Sequence, residues 1–382
     1  MNQRSSVQPA RSFAALRRPT SPGRTCCSTV GSTPERSDIR SERATMSGAH
    51  DHASHRNAVD VHAHWYPQRF LDLLSAKGPA QGLEWRDTPK GPQFGLRGVV
   101  TAAAGPRFVD LDARLQAMDE QHVRVQALSL SQPMTYWAGR DLGLELCVVF
   151  NDELARAHEA SPGRFVGLAA LPMHEPELAR REAERAAKLS GIRGVYVATA
   201  VLDRELSDPA FFPVYEALEG LGLPMFLHPV FVIGEQRLKA YYLSNLLGNP
   251  FESAIAAAHL IFGGVMDRYP RLQVVLPHAG GAFPWLVGRL NRGWEKRSDL
   301  QHIEQSPIEY LKRFWYDTIG YSDHVTDYLC RVIGPDRVLM GSDYCFPIAD
   351  EQPVRTVIAN PLLSDKDKKA IIEDNPKRLL KL

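Results

Sequence analysis

Four strand-like runs of this 382-residue chain end in residues that bind metal ions or move protons. Val59-Asp60-Val61-His62-Ala63-His64-Trp65 carries two histidines two residues apart. Phe226-Leu227-His228-Pro229, Leu276-Pro277-His278-Ala279-Gly280-Gly281 and Gly341-Ser342-Asp343-Tyr344 each place a His or Asp at the end of an apolar run. Side chains two apart on a strand project to the same side, so His62 and His64 face together, with Asp60 behind them as an orienting group. A divalent ion takes neutral imidazoles and a carboxylate and needs one position left open for water or substrate. His62, His64, His228 and Asp343 make that set. His278 could be a fifth ligand, but an acid–base group must stand beside the ion and imidazole titrates near neutral pH. His278 is therefore expected in the catalytic role, with Asp343 relaying protons. Each motif alone is weak; their joint occurrence at strand ends is specific.

These residues need a scaffold that gathers strand ends. From residue 58, short apolar runs recur at Ala58–Trp65, Val123–Ser131, Phe165–Leu171, Gly191–Thr199, Pro224–Val230, Leu272–His278, Phe314–Gly320 and Arg337–Asp343. Helical patterns lie between them, among them Leu111–Gln121, Leu142–Ala160, Glu177–Leu189, Phe212–Leu221, Phe251–Arg268, Ala282–Arg297 and His324–Ile333; Val354–Ile358 and Ser364–Leu380, interrupted at Pro376, follow. This alternation predicts an α/β fold, a (β/α)8 TIM barrel with the strand ends at its functional mouth. A doubly wound sheet is the alternative, but no Gly-rich phosphate turn follows an early strand. The fourth strand, Gly191–Thr199, contains no Lys, Asp or Glu to bridge a second ion, so one ion is expected. Residues 68–106, Gly- and Pro-rich with short candidate strands, read as a small insertion after strand 1 of the domain spanning 58–382.

Residues 1–57 carry almost no large apolar side chains and no periodicity, which predicts a disordered tail. Eight Arg against three acids in residues 1–45 resemble a transit peptide superficially, but there is no amphipathic stripe. A plain tail or a start at Met46 is the preferred reading, and the histidines of 51–56 are treated as tail.

Forty-five basic against 44 acidic residues exclude a broad nucleic-acid footprint. The longest nearly apolar run, Ala254–Met266, contains His259 and is too short to span a bilayer. Five cysteines without metal-type spacing read as reduced thiols in a cytoplasmic protein. His259 is expected in the core, His324 near a helix N-terminus, and Trp65 and Tyr66 either at the pocket or in packing.

The ordered set Asp-x-His-x-His, His-Pro, His-x-Gly-Gly and Gly-Ser-Asp-Tyr, with Met118-Asp119 and Phe346-Pro347, resembles the amidohydrolase-2 family. Within it the resemblance is to the aminocarboxymuconate-semialdehyde decarboxylase branch, from about residue 58 to the C-terminus. It implies a (β/α)8 barrel holding one zinc or manganese ion and nonhydrolytic decarboxylation. It places metal ligands at His62, His64, His228 and Asp343 and the acid–base group at His278. Arg289, eleven residues after His278, would cross a homodimer interface to bind a substrate carboxylate, and Arg97 is the candidate for a second such arginine. The expected substrate is a small unsaturated or aromatic carboxylic acid. Hydrolysis of a lactone, amide or activated C–C bond at the same centre is the alternative, and a barrel that binds without turnover is the third reading.

Overall fold

A computed structural model describes residues 57–96, 99–101 and 103–382. The expected tail, apart from Asn57, and Arg97 lie outside the described residues.

Eight parallel strands pair in chain order: β1 (Val59–His64), β2 (Val125–Ser129), β3 (Phe165–Ala170), β4 (Ile192–Ala198), β5 (Met225–His228), β6 (Val274–Leu276), β7 (Phe314–Asp317) and β8 (Val338–Leu339). Closure between the first and last strand runs largely beyond the short β8. The Val61 amide donates to the Met340 carbonyl at 3.0 Å, the Asp343 amide to His62 at 2.9 Å and the His64 amide to Tyr344 at 2.6 Å. The chain is thus a (β/α)8 barrel, not an open doubly wound sheet. Strands covered on both faces need continuous apolar runs rather than alternation, and every residue of β1, β3 and β5 is buried. The helices need one apolar stripe: Arg140–Ala160 buries Leu142, Leu146, Phe150, Leu154 and Ala157 at helical spacing.

Three elements depart from the sequence reading. The pattern over Phe251–Arg268 is two helices, Asn249–Phe262 and Val265–Arg268, divided where Gly264 turns to φ +70°. Over Ser364–Leu380 the break precedes Pro376: helix Asp365–Lys369 runs through a π turn, Ala370–Asp374, into helix Asn375–Leu380. Pro376 then sits in a first turn, where its missing N–H costs nothing. Between β1 and β2 the chain forms a helix, Gln68–Lys77, that the Gly/Pro-rich composition hid. It buries Phe70, Leu71 and Leu74 and pairs Arg69 with Glu153 and Lys77 with Glu145 on the helix Arg140–Ala160. A three-stranded antiparallel sheet follows, Glu84–Thr88, Gly91–Leu96 and Val99–Val100.

His259 is not a core residue: its side chain is partly exposed, 3.0 Å from Ser207 Oγ and 3.6 Å from Glu205. Its side chain meets residues in and just after the small hairpin, Ala200–Val201 and Arg204–Glu205, that follows β4. Among the described residues no helix is long and apolar enough to cross a membrane.

Candidate metal centre and its cavity

The carboxyl ends of β1, β5, β6 and β8 meet at the barrel mouth. His62, His228, His278 and Asp343 each present a ligand-type atom, all within 4.8 Å of one another. His64 joins the same cluster. Its ring centroid lies 5.0 Å from that of His62 and 4.9 Å from that of His228. Its Nε2 is 3.1 Å from Asp343 Oδ1, and His62 Nε2 is 3.6 Å from the same oxygen. The structure therefore brings together all five residues singled out in the sequence. It does not set His278 apart from the others by distance.

Local sequence explains how the ends turn inward. His278 and Asp343 adopt left-handed backbone conformations, φ +56° and +61°, which are costly for residues with side chains and concentrate at functional sites. The glycines after His278 permit its turn. A β-carbon on Gly281 would lie 2.1 Å from the Pro250 carbonyl oxygen, and one on Gly280 would lie 2.5 Å from the Tyr316 ring. Ser342 of Gly-Ser-Asp-Tyr ties the end of the barrel to its beginning: its hydroxyl donates to Asp60 Oδ2 at 2.6 Å, and its amide to Asp60 Oδ1 at 3.1 Å. Asp60 also accepts from Gln126 Nε2 at 2.8 Å, and Gln126 in turn accepts from the fully buried Arg114 at 2.8 Å. Asp60 thus orients backbone and motif rather than touching the ligand cluster, and Arg114 is a support that the sequence reading did not identify.

The hydrogen bonds behind the histidines fix which nitrogen faces the cluster. His62 Nδ1 lies 2.8 Å from Asp317 Oδ2, so Nδ1 donates to that carboxylate and Nε2 is the nitrogen turned toward the cluster. Asp317 is fastened by the amides of Ala279 and Ile319, at 2.8 and 3.0 Å. Ser129 donates to the Ala63 carbonyl and accepts from His64 Nδ1 at 3.1 Å, leaving His64 Nε2 free to face Asp343. The Tyr196 hydroxyl, from β4, lies 3.2 Å from His62 Nε2. Asp317 was legible by the same rule as the others, since it ends β7; Ser129 and Tyr196 offered no such signal.

Burial holds the imidazoles of His64 and His228 well below their ordinary pKa, and that of His278 below it, with neighbouring histidines adding to the effect. For His62, burial pushes the same way, but the Asp317 hydrogen bond and the Asp343 and Asp317 charges outweigh it and raise its pKa. Burial also raises Asp343, while in Asp317 the burial effect is overcome by the His62 hydrogen bond and its pKa is lowered. The imidazoles of His64 and His228 are thus held in the neutral, ligating form, and that of His278 is neutral beside them. Imidazoles and one carboxylate whose ligand-type atoms lie within 4.8 Å of one another are a donor set for a divalent cation. The residues fit a single divalent cation.

A cavity of about 520 Å³ opens beside the cluster, lined by His228, His278 and Asp343 together with Ser131, Gln132 and Phe346. A second, of about 530 Å³, shares His278, Asn245 and Ile348 with it and carries Trp285, Tyr321 and His324. Neither has a Lys or Arg among its described lining residues. Arg289 is exposed on the helix Phe283–Lys296, one turn from Trp285, and lines neither cavity within one chain. Arg97 precedes Val100 and Thr101, which line the first cavity, but itself lies outside the described residues. His324 begins its helix as expected and also reaches the second cavity. Trp65 and Tyr66 are packing residues: the Trp65 indole donates to the Val109 carbonyl, and Tyr66 stacks on Phe108.

Fold and centre define a (β/α)8 barrel with a histidine- and aspartate-rich metal-competent mouth. The Amidohydrolase family pattern matches residues 59–382, and the chain belongs to that family. It is 31% identical over 329 residues to the 2-amino-3-carboxymuconate-6-semialdehyde decarboxylase of Dictyostelium discoideum, covering 85% of this chain and 91% of that one. It is 30% identical over 292 residues to the gamma-resorcylate decarboxylase of Polaromonas sp. (strain JS666 / ATCC BAA-500), covering 72% and 89%. Its fold matches the crystal structure of 5-carboxyvanillate decarboxylase LigW from Sphingomonas paucimobilis with a TM-score of 0.75 and 26% identity, covering 85% of this chain and 99% of that chain.

Proposed function

We propose that this protein is a metal-dependent decarboxylase of a small aromatic or unsaturated carboxylic acid. The observation that carries the reading is the convergence of His62, His64, His228, His278 and Asp343 beside a cavity of small-substrate size, in a chain whose relatives are decarboxylases.

His62, His64, His228 and Asp343 hold the ion, and neutral imidazoles with one carboxylate suit zinc, with manganese the alternative. When bound, the ion supplies Lewis-acid polarisation of a substrate oxygen. Asp317 and Ser129 keep the ligating nitrogens of His62 and His64 aimed inward. His278 lines both cavities and places an imidazole beside the substrate. As the C–C bond to the departing carboxylate breaks, the electron pair stays on the ring or chain carbon; that carbon takes up one proton drawn from solvent and handed on by Asp343 through His278, whose lowered pKa suits it to relay a proton rather than store one.

A homodimer completes the site. Leu246, Trp285 and Tyr321 are exposed around the second cavity, Trp285 at 79%, which is an apolar rim suited to a second copy. Arg289, one turn from Trp285, would then reach a carboxylate in the neighbouring subunit's cavity, which has no described cation of its own. The unpaired Cys147, Cys330 and Cys345 favour a reducing, cytoplasmic setting.

Turnover in oxygen-18 water tests the reaction type. Decarboxylation releases carbon dioxide and leaves no solvent oxygen in the organic product; solvent oxygen in that product would replace this reading with hydrolysis.

A further inference from the structure

At the other end of the barrel, by the amino ends of its strands, lies a further cavity of about 500 Å³, and its charge is unlike that of the two at the mouth. Arg337, Arg378 and Lys381 line it, and Asp336 is the one carboxylate among its described lining residues. The starts of four strands and the last helix bring these groups together. Pro224 precedes β5, Gln273 precedes β6, Trp315 lies in β7 and Arg337 precedes β8. Arg378 and Lys381 come from the helix Asn375–Leu380 and its C-cap.

The uncharged polar side chains here are already paired, whereas the cations are not neutralised. The Trp315 indole donates to Gln273 Oε1 at 2.8 Å, and Gln273 Nε2 donates to the Arg271 carbonyl at 3.0 Å. Two guanidiniums lie over the buried Trp315 ring, Arg337 at 4.8 Å and Arg378 at 5.1 Å from its centroid. A guanidinium held by a ring face keeps its N–H groups for other acceptors. Arg337 stands 4.0 Å from the Asp336 carboxylate, beyond hydrogen-bond reach, and that carboxylate is 66% exposed. Arg378 uses Nη2, on the Asp336 carbonyl at 2.6 Å and Asn375 Oδ1 at 3.2 Å. Lys381 gives one of its three protons to the Gly222 carbonyl at 3.0 Å. Burial holds Arg337 below its ordinary pKa, and the charges of Arg378 and Arg313 act the same way, against Asp336. Like charges gathered around a partly enclosed space repel one another, and an anion placed among them relieves that repulsion.

We propose that this cavity binds the phosphate group of a small phosphomonoester. Three lining cations against one carboxylate leave a surplus of two positive charges, which a dianion matches. Donors from two guanidiniums and an ammonium suit the tetrahedral oxygens of phosphate, whereas a carboxylate presents only two oxygens in one plane. The cavity is larger than a phosphate ion, which leaves room for the organic part of the ester. A ligand here joins the last helix to the strands whose far ends carry His228, His278, Asp317 and Asp343, and so stabilises the chain as its occupancy rises. The site stands independently of the decarboxylase reading.

The test is calorimetric binding of glycerol 3-phosphate and of inorganic phosphate to the metal-loaded full chain, at an ionic strength fixed with chloride. Wild type, Arg337→Gln and Lys381→Gln are compared. The wild type binds the ester more tightly than the free ion, and the ester raises its melting temperature. Each substitution removes one charged donor, weakens the ester about tenfold and removes most of that rise. A purely structural Arg337 would lower the melting temperature without ligand and leave the affinity unchanged, and that result would overturn the proposal. Affinity indifferent to both substitutions would also overturn it, since the anion would then sit at the metal centre at the opposite end of the barrel. Failure of the wild type to bind either probe would remove the site. Tighter binding of inorganic phosphate than of the ester would overturn the ester assignment and make the free ion the ligand.

Discussion

Asp317 Oδ2 lies 2.8 Å from His62 Nδ1, and both side chains are buried at the barrel mouth. The contact sets the tautomer of His62 and ties β7 to β1, so the ligating nitrogen is aimed by a residue that touches no substrate. The two amides that hold Asp317 belong to the turns after His278 and after Asp317 itself, so one carboxylate braces three strand ends.

Asp317→Asn removes the charge while keeping the shape. Loss of such an orienting partner lowers metal affinity by about 10- to 100-fold. Competitive titration with a chromophoric chelator measures it; unchanged affinity would mean that His62 is aimed by packing alone.

Proton release on metal binding follows from the imidazole shifts. His64, His228 and His278 are pushed down and are already neutral near pH 6.5, whereas His62 is raised and keeps its proton there. A cation must displace that proton, so affinity rises with pH through the His62 range and about one proton is released. In the metal-free protein the sign reverses. The His62–Asp317 pairing stabilises the fold fully below the unfolded histidine pKa and is lost as pH rises through the raised folded value. Calorimetry in buffers of different ionisation enthalpy counts the protons; release of none near pH 6.5 contradicts this ordering.

His278→Asn separates acid–base chemistry from ligation. The variant should retain its metal and lose about 10²- to 10⁴-fold in turnover. His64→Asn should instead lose metal. Metal loss from the His278 variant would make His278 a ligand, which its position in the four-residue cluster allows.

Ser342→Ala leaves Asp60 Oδ2 without the 2.6 Å hydroxyl donor and the Tyr344 amide without its acceptor, in a fully buried setting. A loss of about 1–3 kcal/mol of stability is expected, read as a lower denaturant midpoint. A neutral result would mean that barrel closure rests on the backbone bonds alone.

Much of this was written in the sequence because a parallel barrel has simple rules. Buried strands need unbroken apolar runs, and the functional residues stand where those runs end, which is why His62, His64, His228, His278 and Asp343 could be gathered without coordinates. Asp317 obeys the same rule but follows Phe-Trp-Tyr, and a lone aspartate there has no motif around it. The helix Gln68–Lys77 was obscured because its apolar residues, Phe70, Leu71 and Leu74, make one short stripe beside a Gly- and Pro-rich stretch.

The most direct measurement is carbon dioxide release by the purified protein on a panel of hydroxylated aromatic and unsaturated carboxylic acids, after chelator treatment and after restoring zinc or manganese. Release that disappears with the chelator and returns with metal is the predicted result. Consumption of an acid without carbon dioxide, or release indifferent to chelator in protein shown to be metal-free, would contradict the metal-dependent decarboxylase.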